Sequence, residues 1–464
     1  MLRLVLPLLL LAAVAAPAAA QPATAERVPA AEAAFEEGLG LYRAADFDGA
    51  YAAFLRAATE FGYNQKTTAA RLMAGKAAYA AGEVERATAT LDALLANYPG
   101  SRYAAEAERV AELARTADVQ RAPLDLGVIL PAGGDDGYLG QALFNGIRLA
   151  VEEHNRTGPR QPVRLVFRTT PGSPAGAMTA FDAAVQAGAD VVVGPLYSDE
   201  AIAAGGRAEE AGVPLLAPLA TDQGVSAGRR LAFQANPTFP ERGRAMARYA
   251  VSELGLRRLG VVVQTRTFGE NMGAAFAAEA SRLGAAVVFQ ERLDDSDGWA
   301  DLDREVGVDK LQSVQAVYLP VTGGDAPEYA ADALRALEGL PRPPRPLGNT
   351  EWEALGSSRA RASRLGALFT TDFFPSADAV ARFDAPYRAL AGIGPDRLAL
   401  LGYDIGTLLV QRATAPGAEG ALADRIRSDD VFQGAAHRFD FEDGQINGAL
   451  FVLAYRDGQP VLVD

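Results

Sequence analysis

The sequence predicts a mixed α/β protein in which an all-α N-terminal module precedes two lobes built on mainly parallel sheets. Residues 30–118 are rich in alanine, follow a helical periodicity and contain almost no runs of β-branched residues, which indicates helices. After residue 123, short apolar segments of strand length alternate with helical segments, a pattern typical of βαβ units. Because the region 123–464 is too long for one comfortable hydrophobic core, we expect two lobes.

The N-terminal residues 1–20 have the pattern of a cleavable secretory signal peptide. Arg3 gives a positive start, an apolar stretch follows, and Ala18 and Ala20 form a small-residue cleavage site before Gln21. An uncleaved anchor is the alternative, but the apolar run falls short of the about 20 residues that span a bilayer. We therefore expect a periplasmic protein with no transmembrane span in the mature chain.

The helical region 30–118 contains an internal repeat of 37 residues. Five small or apolar residues recur in phase, namely Gly38, Ala45, Phe47, Ala50 and Phe54, then Gly75, Gly82, Val84, Ala87 and Leu91. This pattern resembles tetratricopeptide repeats, which are helix–turn–helix units of about 34 residues. Two copies and a third helix over 101–116 imply a small module that contacts another protein. A plain helical spacer is the alternative.

The α/β region shows a regular series of apolar segments. Strands are predicted at 124–130, 163–167, 190–194, 213–218, 230–234, 259–264 and 316–319. The proline-rich segment 342–346 predicts a stiff surface turn.

Composition excludes several functions. The chain of 464 residues has 44 Lys and Arg against 58 Asp and Glu, a formal charge of −14, and contains no cysteine. Without cysteine there are no disulfides, thiolate metal sites or cysteine nucleophiles, and no cysteine to carry a lipid. The acidic balance lacks the cationic patch that a nucleic-acid partner needs, so none is expected.

The order of motifs in the α/β region resembles one family, the type I periplasmic solute-binding proteins of the leucine/isoleucine/valine-binding class. The segments that carry this resemblance are LGVILP at 126–131, GQALFNGIRLAVEEHN at 140–155, DVVVGP at 190–195, PLLAPLAT at 214–221, LGVVV at 259–263, FGE at 268–270, LGYD at 401–404, FQG at 432–434 and FDFEDG at 439–444. The resemblance spans essentially all of the region 123–464.

The resemblance implies two Rossmann-like lobes joined by three crossovers, with a ligand in the cleft and closure about a hinge. The crossovers are expected near 236–237, 369–374 and 439–444. One lobe would comprise about 123–237 and 372–440, and the other about 238–371 and 441–464.

Loops that follow the strands of the first lobe supply candidate ligand-binding residues. Ligands of open parallel sheets bind at the carboxyl ends of the strands, which draws attention to loops 132–138, 194–200 and 217–222. By the resemblance, Ser198 and Thr221 hold the carboxylate and ammonium groups of a ligand together with Ala220, and Tyr138 lies in the first loop. The alternative is that Ser198 only caps a helix and that Thr221 is only a turn residue.

The second lobe departs from the amino-acid pattern. Thr322 follows a predicted strand where relatives have an aromatic residue, and the segment 348–352 stands where they have an acidic group for the ammonium. Glu351 could serve that role if the register shifts by one residue. Trp352 could stack on a ligand or belong to the core.

Other patterns in the sequence do not predict catalysis or a cofactor. The segment 224–228 matches the G-x-S-x-G nucleophile pattern around Ser226, but lacks the preceding strand and following helix that this motif needs. Asp294 and Asp297 lie in an acidic segment without the terminal glutamate of a calcium loop. His154 and His437 have no metal-ligand spacing. We therefore expect no enzyme, no catalytic residue, no metal and no cofactor.

The predicted function is extracytoplasmic capture of a small polar ligand, an amino acid or related compound, for ABC-type uptake or sensing, with an ABC permease as partner. The alternative is a regulator of peptidoglycan synthesis. The order of helical repeats and binding-protein fold is similar to that of the outer-membrane activators of penicillin-binding proteins, whose helical module contacts a peptidoglycan synthase.

Overall fold

The computed structural model describes residues 25–116, 122–294, 296–414, 421–428 and 430–463. The predicted signal peptide lies outside these residues. The chain divides into two compact units, Met1–Arg121 and Ala122–Asp464, and each is described separately. Within the described residues, no helix has both the length and the apolar character needed to cross a membrane.

The first unit is all-helical, as expected. Its helices are α1 (Pro29–Arg43), α2 (Phe47–Thr59), α3 (Thr67–Ala80), α4 (Val84–Asn97) and α5 (Ala104–Thr116). Consecutive helices pack against one another, α1 on α2 and α3 on α4. Short turns join each of these pairs, and Ala45 and Gly82 occupy the left-handed backbone region in them, with φ of 61° and 82°.

Equivalent contacts hold the two helical hairpins together. A Cβ atom at Gly38 would lie 2.7 Å from the Phe54 ring, and one at Gly75 would lie 2.5 Å from Leu91. The small residue on the first helix of each hairpin therefore makes room for a large, fully buried residue on the second. The 37-residue sequence repeat thus corresponds to a repeat of packing contacts.

The second unit contains the remaining helices and all the named strands. Its helices are α6 (Gly137–Arg156), α7 (Pro174–Gln186), α8 (Ser198–Ala211), α9 (Phe239–Arg248), α10 (Gly269–Arg282), α11 (Ser296–Ala300), α12 (Leu302–Val306), α13 (Val308–Gln312), α14 (Ala326–Glu338), α15 (Arg359–Arg364), α16 (Ala377–Ala391), α17 (Arg397–Thr414) and α18 (Leu422–Ile426). The strands are β1 (Leu124–Leu130), β2 (Val163–Thr169), β3 (Val191–Val193), β4 (Leu215–Ala217), β5 (Ala232–Gln234), β6 (Arg258–Gln264), β7 (Ala286–Leu293), β8 (Ala316–Tyr318), β9 (Arg345–Gly348), β10 (Leu368–Thr371), β11 (Phe432–Gln433), β12 (Arg438–Phe439), β13 (Phe451–Arg456) and β14 (Gln459–Leu462).

Two sheets define two lobes. Lobe I is built on a five-stranded parallel sheet in the order β2-β1-β3-β4-β5, and lobe II on a seven-stranded sheet in the order β14-β13-β10-β9-β8-β6-β7. In lobe II only the last two strands run antiparallel to their neighbours, at the pairs β10–β13 and β13–β14. Every residue of β1 and most residues of β6 are buried because helices cover both faces of such sheets.

The chain crosses between the lobes three times, after β5, after β10 and after β12. At the third crossing, the segment 445–447 runs beside β5. The Gln234 N–H donates to the Gln445 carbonyl at 2.8 Å, and the Asn447 N–H donates to the Gln234 carbonyl at 2.9 Å. The crossing segment therefore pairs with β5 through a short parallel bridge at the edge of the lobe I sheet.

Lobe I depends on a close helix crossing between residues far apart in sequence. A Cβ atom at Gly146 on α6 would lie 2.0 Å from the Ala399 carbonyl oxygen, and one at Gly402 on α17 would lie 2.0 Å from that of Leu143. Only glycine allows the two backbones to approach so closely. Helix α17, which follows the second crossing, is thereby fixed on the first half of lobe I.

Candidate functional site

A cleft of about 420 Å³ lies between lobe I and lobe II. Its lobe I wall is polar and consists of Ser198, Thr221, Asp222 and Gln223. Its lobe II wall consists of Phe239, Pro240, Phe268 and Asn271. The two walls thus differ in chemistry, one offering hydrogen bonds and the other mainly apolar surface.

Ser198 reaches the cleft because a glycine turn precedes it. Gly194, just after β3, has φ of 101°, and a Cβ atom there would lie 2.1 Å from the Ile129 carbonyl oxygen. A side chain is excluded at this position by both conformation and space. The chain then enters α8 at Ser198, so that this hydroxyl lies at the carboxyl edge of the sheet and at a helix N-terminus.

The structure brings Ser198 and Thr221 together. The Ser198 Oγ accepts hydrogen bonds from the backbone N–H groups of Thr221, at 3.2 Å, and Asp222, at 3.3 Å. Both contacts use the oxygen as acceptor, so the hydroxyl proton remains available to donate to a ligand oxygen. The residue before α8, Tyr197, does not cap the helix with its side chain, and the positive end of the helix dipole adds to the attraction for an anion.

The completely buried side chain of Gln234 supports the loop that contains Thr221. Its side-chain amide donates to the carbonyl oxygens of Ala220, at 3.1 Å, and Asp222, at 3.0 Å. Ala220 is itself 1% exposed, so it lies beneath the cleft surface rather than on it. Ser226, the serine of the nucleophile-like motif, donates to the Gln234 side-chain oxygen at 3.0 Å and supports the same loop.

Tyr138 lies on the first turn of α6 and is 69% exposed, outside the described lining of the cleft. Its neighbour Tyr197 is also partly exposed. Burial of the hydroxyl and a hydrogen bond to the Asp136 carboxylate raise the pKa of Tyr197. This hydrogen bond joins the residue that precedes α8 to the residue that precedes α6.

The predicted residues of lobe II, Thr322 and Glu351, follow the adjacent parallel strands β8 and β9 and are also outside that lining. Buried Asn349 joins their loops, since its side chain accepts from the Val321 N–H at 3.1 Å and donates to the Val321 carbonyl at 2.8 Å. Burial raises the pKa of the Glu351 carboxyl, and the positive charge of Arg242 opposes this rise. Trp352 is fully buried and belongs to the core.

Sequence reasoning did not identify Phe239, Phe268 or Asn271 as lining residues. Phe239 opens α9, and Phe268 immediately precedes α10. Their rings stack face to face, with centroids 4.3 Å apart and planes inclined by 7°. The only sequence signal was the segment 268–270, which contributed to the family resemblance without indicating that its aromatic ring meets Phe239.

A buried network of ion pairs lies at the crossings between the two lobes. Asp372, just after β10, accepts from Arg242 at 2.8 Å and from Arg397 at 2.7 Å. Burial alone would raise the pKa of Asp372, but the two guanidinium groups outweigh it and hold that pKa well below its usual range. Arg242 also donates to Asn236, which lies in the first crossing, at 2.6 Å. The network therefore joins two of the three crossings.

A larger cavity, of about 600 Å³, lies between α9, α10 and the third crossing. Its arginines are already paired within their own lobe. Arg244 and Arg248 both donate to Glu241, and Arg282 donates to Glu279. Because these charges are satisfied internally, the cleft with the unpaired Ser198 hydroxyl proton is the stronger candidate for ligand binding.

Over the residues that the structure describes, no group of three or more histidine, aspartate and glutamate side chains is placed to hold a metal ion.

Comparisons with known proteins agree with this architecture. The family model described as periplasmic binding protein matches residues 123–459, so the helical unit lies outside the match. The Leu/Ile/Val-binding protein homolog 3 of Brucella melitensis is 28% identical over 262 residues, which are 55% of this chain and 68% of that protein. BraC3 of Rhizobium johnstonii, a Leu/Ile/Val-binding protein, is 28% identical over 58% of this chain and 73% of its own length.

Solved structures show the same fold. A candidate branched-chain amino acid ABC transporter protein from Rhodospirillum rubrum is 25% identical, with a TM-score of 0.62 over 74% of this chain and 100% of its own. An ABC transporter substrate-binding protein from Sphaerobacter thermophilus is 21% identical, with a TM-score of 0.55 over 74% of this chain and 97% of its own. The family model and the curated relatives are named for binding and not for catalysis. The chain belongs to the periplasmic binding protein family.

Proposed function

We propose that this protein captures an amino acid or a related small polar ligand in the interlobe cleft and presents it to an ABC permease outside the cytoplasm. The observation that carries the proposal is the arrangement of Ser198 at the start of α8. Its Oγ accepts from the backbone N–H groups of Thr221 and Asp222, while its own proton is left to donate. The names of the curated relatives, which are Leu/Ile/Val-binding proteins, support the same class of ligand.

The ligand carboxylate is assigned to the N-terminus of α8. The Ser198 hydroxyl donates to one carboxylate oxygen, and Thr221 lies beside it on the same wall. The helix dipole favours a negative group at this point. A hydrogen bond to a charged group typically contributes about 1.5–3 kcal/mol, which is more than a neutral hydrogen bond contributes.

The ligand ammonium is assigned to the lobe II side, with Glu351 as its carboxylate partner and with Thr322 and Tyr138 at the margins of the site. Burial raises the pKa of Glu351 because the charged form loses water. A ligand cation that approaches this carboxyl favours its ionised form. Closure of the two lobes brings Glu351 towards a ligand that is already held by Ser198.

The test is calorimetric titration of the full chain with a panel of amino acids, using Ser198→Ala and a matched Ser173→Ala variant. Ser173 caps α7 in the same lobe by accepting from the Gly176 N–H at 3.3 Å, so both variants remove one serine hydroxyl from a helix N-terminus. Ser198→Ala should weaken binding by at least about tenfold, and Ser173→Ala should leave it unchanged. The proposal is contradicted if no amino acid of the panel binds at millimolar concentration.

A second role is assigned to the helical unit, which has its own core and lies outside the family match. We infer that it contacts a protein partner. A photo-crosslinking residue at exposed position 40 on α1, in the full chain, tests this. Crosslinks to a permease component support uptake, and crosslinks to a peptidoglycan synthase support regulation of cell-wall synthesis. Absence of any specific crosslink would argue for a spacer.

A further inference from the structure

The apolar wall of the cleft is aromatic and flat. Phe239 is half-buried and packs on the lobe II core around α9 and α10. Phe268 lies parallel to it at 4.3 Å and is 57% exposed. Since Phe239 covers one face of the Phe268 ring and more than half of that residue is exposed, the opposite face of the ring is open.

This exposed ring is part of the cleft and is not an isolated apolar residue on the surface. Phe268 lines the cavity together with Phe239 and Pro240, so its apolar lining consists of two rings and a proline. Single exposed apolar side chains are common and need no explanation. An open aromatic face that is supported by a second ring and directed at a polar wall indicates a binding surface.

The opposite wall defines the other end of the ligand. Ser198 and Thr221 offer hydrogen-bond groups at the start of α8, and Asp222 adds an exposed carboxylate next to them. One oxygen of this carboxylate accepts from the Gly224 N–H at 2.7 Å, which fixes its position. A fixed, exposed carboxylate attracts the ligand ammonium to the lobe I wall, beside the ligand carboxylate, and Glu351 of lobe II is its second acidic partner once the lobes close.

We propose that the cleft selects an amino acid with an aromatic side chain, whose ring stacks on the open face of Phe268. This inference rests on the proposed function, because it takes the zwitterionic end of the ligand to be held at Ser198. An aromatic ring gains from offset stacking in addition to the area that it buries, whereas a branched aliphatic chain gains only from burial. The stacking contribution corresponds to about a two- to tenfold preference in affinity.

The experiment is titration calorimetry of the full chain with L-phenylalanine, L-leucine and 3-phenylpropionate, the last of which has the ring and carboxylate but no amine. L-Phenylalanine should bind most tightly, ahead of L-leucine by about two- to tenfold. Loss of the amine should weaken binding as well. The variant Phe268→Leu should remove the preference for phenylalanine over leucine, and Phe268→Tyr should keep it. Because Phe268 is exposed, both variants should keep the thermal stability of the natural chain.

Proton NMR gives an independent readout of stacking. The ring protons of bound L-phenylalanine should shift upfield with the natural chain and with Phe268→Tyr, but not with Phe268→Leu. Leucine binding as tightly as phenylalanine, or better, would overturn the aromatic preference and leave the solute-binding proposal intact. If neither L-phenylalanine nor L-leucine binds, and no other amino acid in the panel binds either, the solute-binding proposal itself is overturned.

Discussion

The Arg242 guanidinium donates a hydrogen bond to the Asp372 carboxylate at 2.8 Å, and this contact joins a helix of lobe II to the second crossing between the lobes. Arg397, at the start of α17 in lobe I, donates to the same carboxylate at 2.7 Å. One acidic side chain therefore connects both lobes through two arginines. Since any change in the angle between the lobes acts on these crossings, the network helps to set the resting geometry of the cleft.

Replacement of Arg242 by methionine should lower the free energy of unfolding by about 3 kcal/mol, because a largely buried carboxylate then keeps only one of its two charged partners. Urea denaturation measures this loss. The control is Arg388→Met, which breaks an ion pair with Asp384 in which both side chains are largely exposed, 58% and 38%, and should cost less than about 1 kcal/mol. Equal losses for the two variants would contradict a structural role for the network.

The same network predicts a pH dependence of stability. The folded-state pKa of Asp372 lies below its unfolded value of about 3.9, so its contribution is present above about pH 4. That contribution is lost as the pH falls below 4 towards the folded-state pKa. Asp372→Asn should therefore be less stable than the natural chain at pH 6, and the gap should narrow by pH 3. A gap that is constant with pH would contradict this account.

The pH dependence of stability that Glu353 contributes should have the opposite sign to that of Asp372. Burial raises the pKa of its carboxyl, and the Thr371 hydroxyl, which donates to it at 2.5 Å, only partly offsets the rise. Above the raised pKa the folded state holds a disfavoured charge, so stability is lost as the pH rises through it. Glu353→Gln keeps an acceptor for Thr371 and should stabilise the protein at pH 7 by less than about 1 kcal/mol.

The control for this change is Glu338→Gln. Hydrogen bonds from Arg361 and Arg364 lower the pKa of Glu338, so removal of its charge should reduce stability at pH 7. Thermal unfolding at pH 7 and pH 3 compares the two variants. A stabilising effect of Glu353→Gln that persists at pH 3, where the Glu353 carboxyl is protonated, would speak against burial of its charge as the cause.

Asp404 and His437 hold together two parts of lobe I. The Asp404 carboxylate accepts from the backbone N–H groups of Ala435, Ala436 and His437, and from the His437 ring at 2.9 Å. Asp404→Ala leaves these buried donors without partners and should cost at least about 3 kcal/mol. The matched change is Asp424→Ala, at an exposed carboxylate paired with Arg427, where less than about 1 kcal/mol is expected. Urea denaturation tests both.

The turns of the helical unit offer a paired test of backbone strain. Ala45 has φ of 61° at the position that Gly82 occupies, with φ of 82°, in the next hairpin. Ala45→Gly should stabilise the first hairpin and Gly82→Ala should destabilise the second, each by about 0.5–1 kcal/mol. Hydrogen exchange of α1 to α4 in the full chain measures the local effect. Faster exchange in α1 and α2 of Ala45→Gly would contradict the strain at Ala45.

The fold class was predictable because periodicity reports local burial. The apolar runs that became β4, β6 and β8 are short and almost entirely buried, as expected of strands that are covered on both faces. Strand β9 was missed: residues 342–346 were interpreted as a surface turn, yet Pro346 lies in a central strand between β8 and β10. Proline cannot donate to the ladder, which usually argues against such a position. Edge strand β7 was missed because it is mostly exposed or half-buried.

In the candidate site, too, some contacts could be predicted from the sequence and others could not. Ser198 and Thr221 each follow a strand of one parallel sheet, so their proximity could be expected from topology and the family resemblance. The stack of Phe239 on Phe268 depends on how α9 packs against α10, which no local pattern encodes. Likewise, the segments 401–404 and 432–434 were recognised separately, and only the structure shows that Asp404 binds the residues just after Gly434.

The antiparallel strands β13 and β14 have a consequence for how the chain folds. They complete the lobe II sheet against β10, although the first strand of that sheet, β6, begins at Arg258. Pairings so distant in sequence raise the contact order and slow folding. Until residues 451–462 have paired with β10, the edge of that strand is unpaired, and such an edge can pair with another chain. Lobe II therefore completes its sheet only when the last strands of the chain fold, and its aggregation-prone edge at β10 is covered by the protein's own C-terminal hairpin.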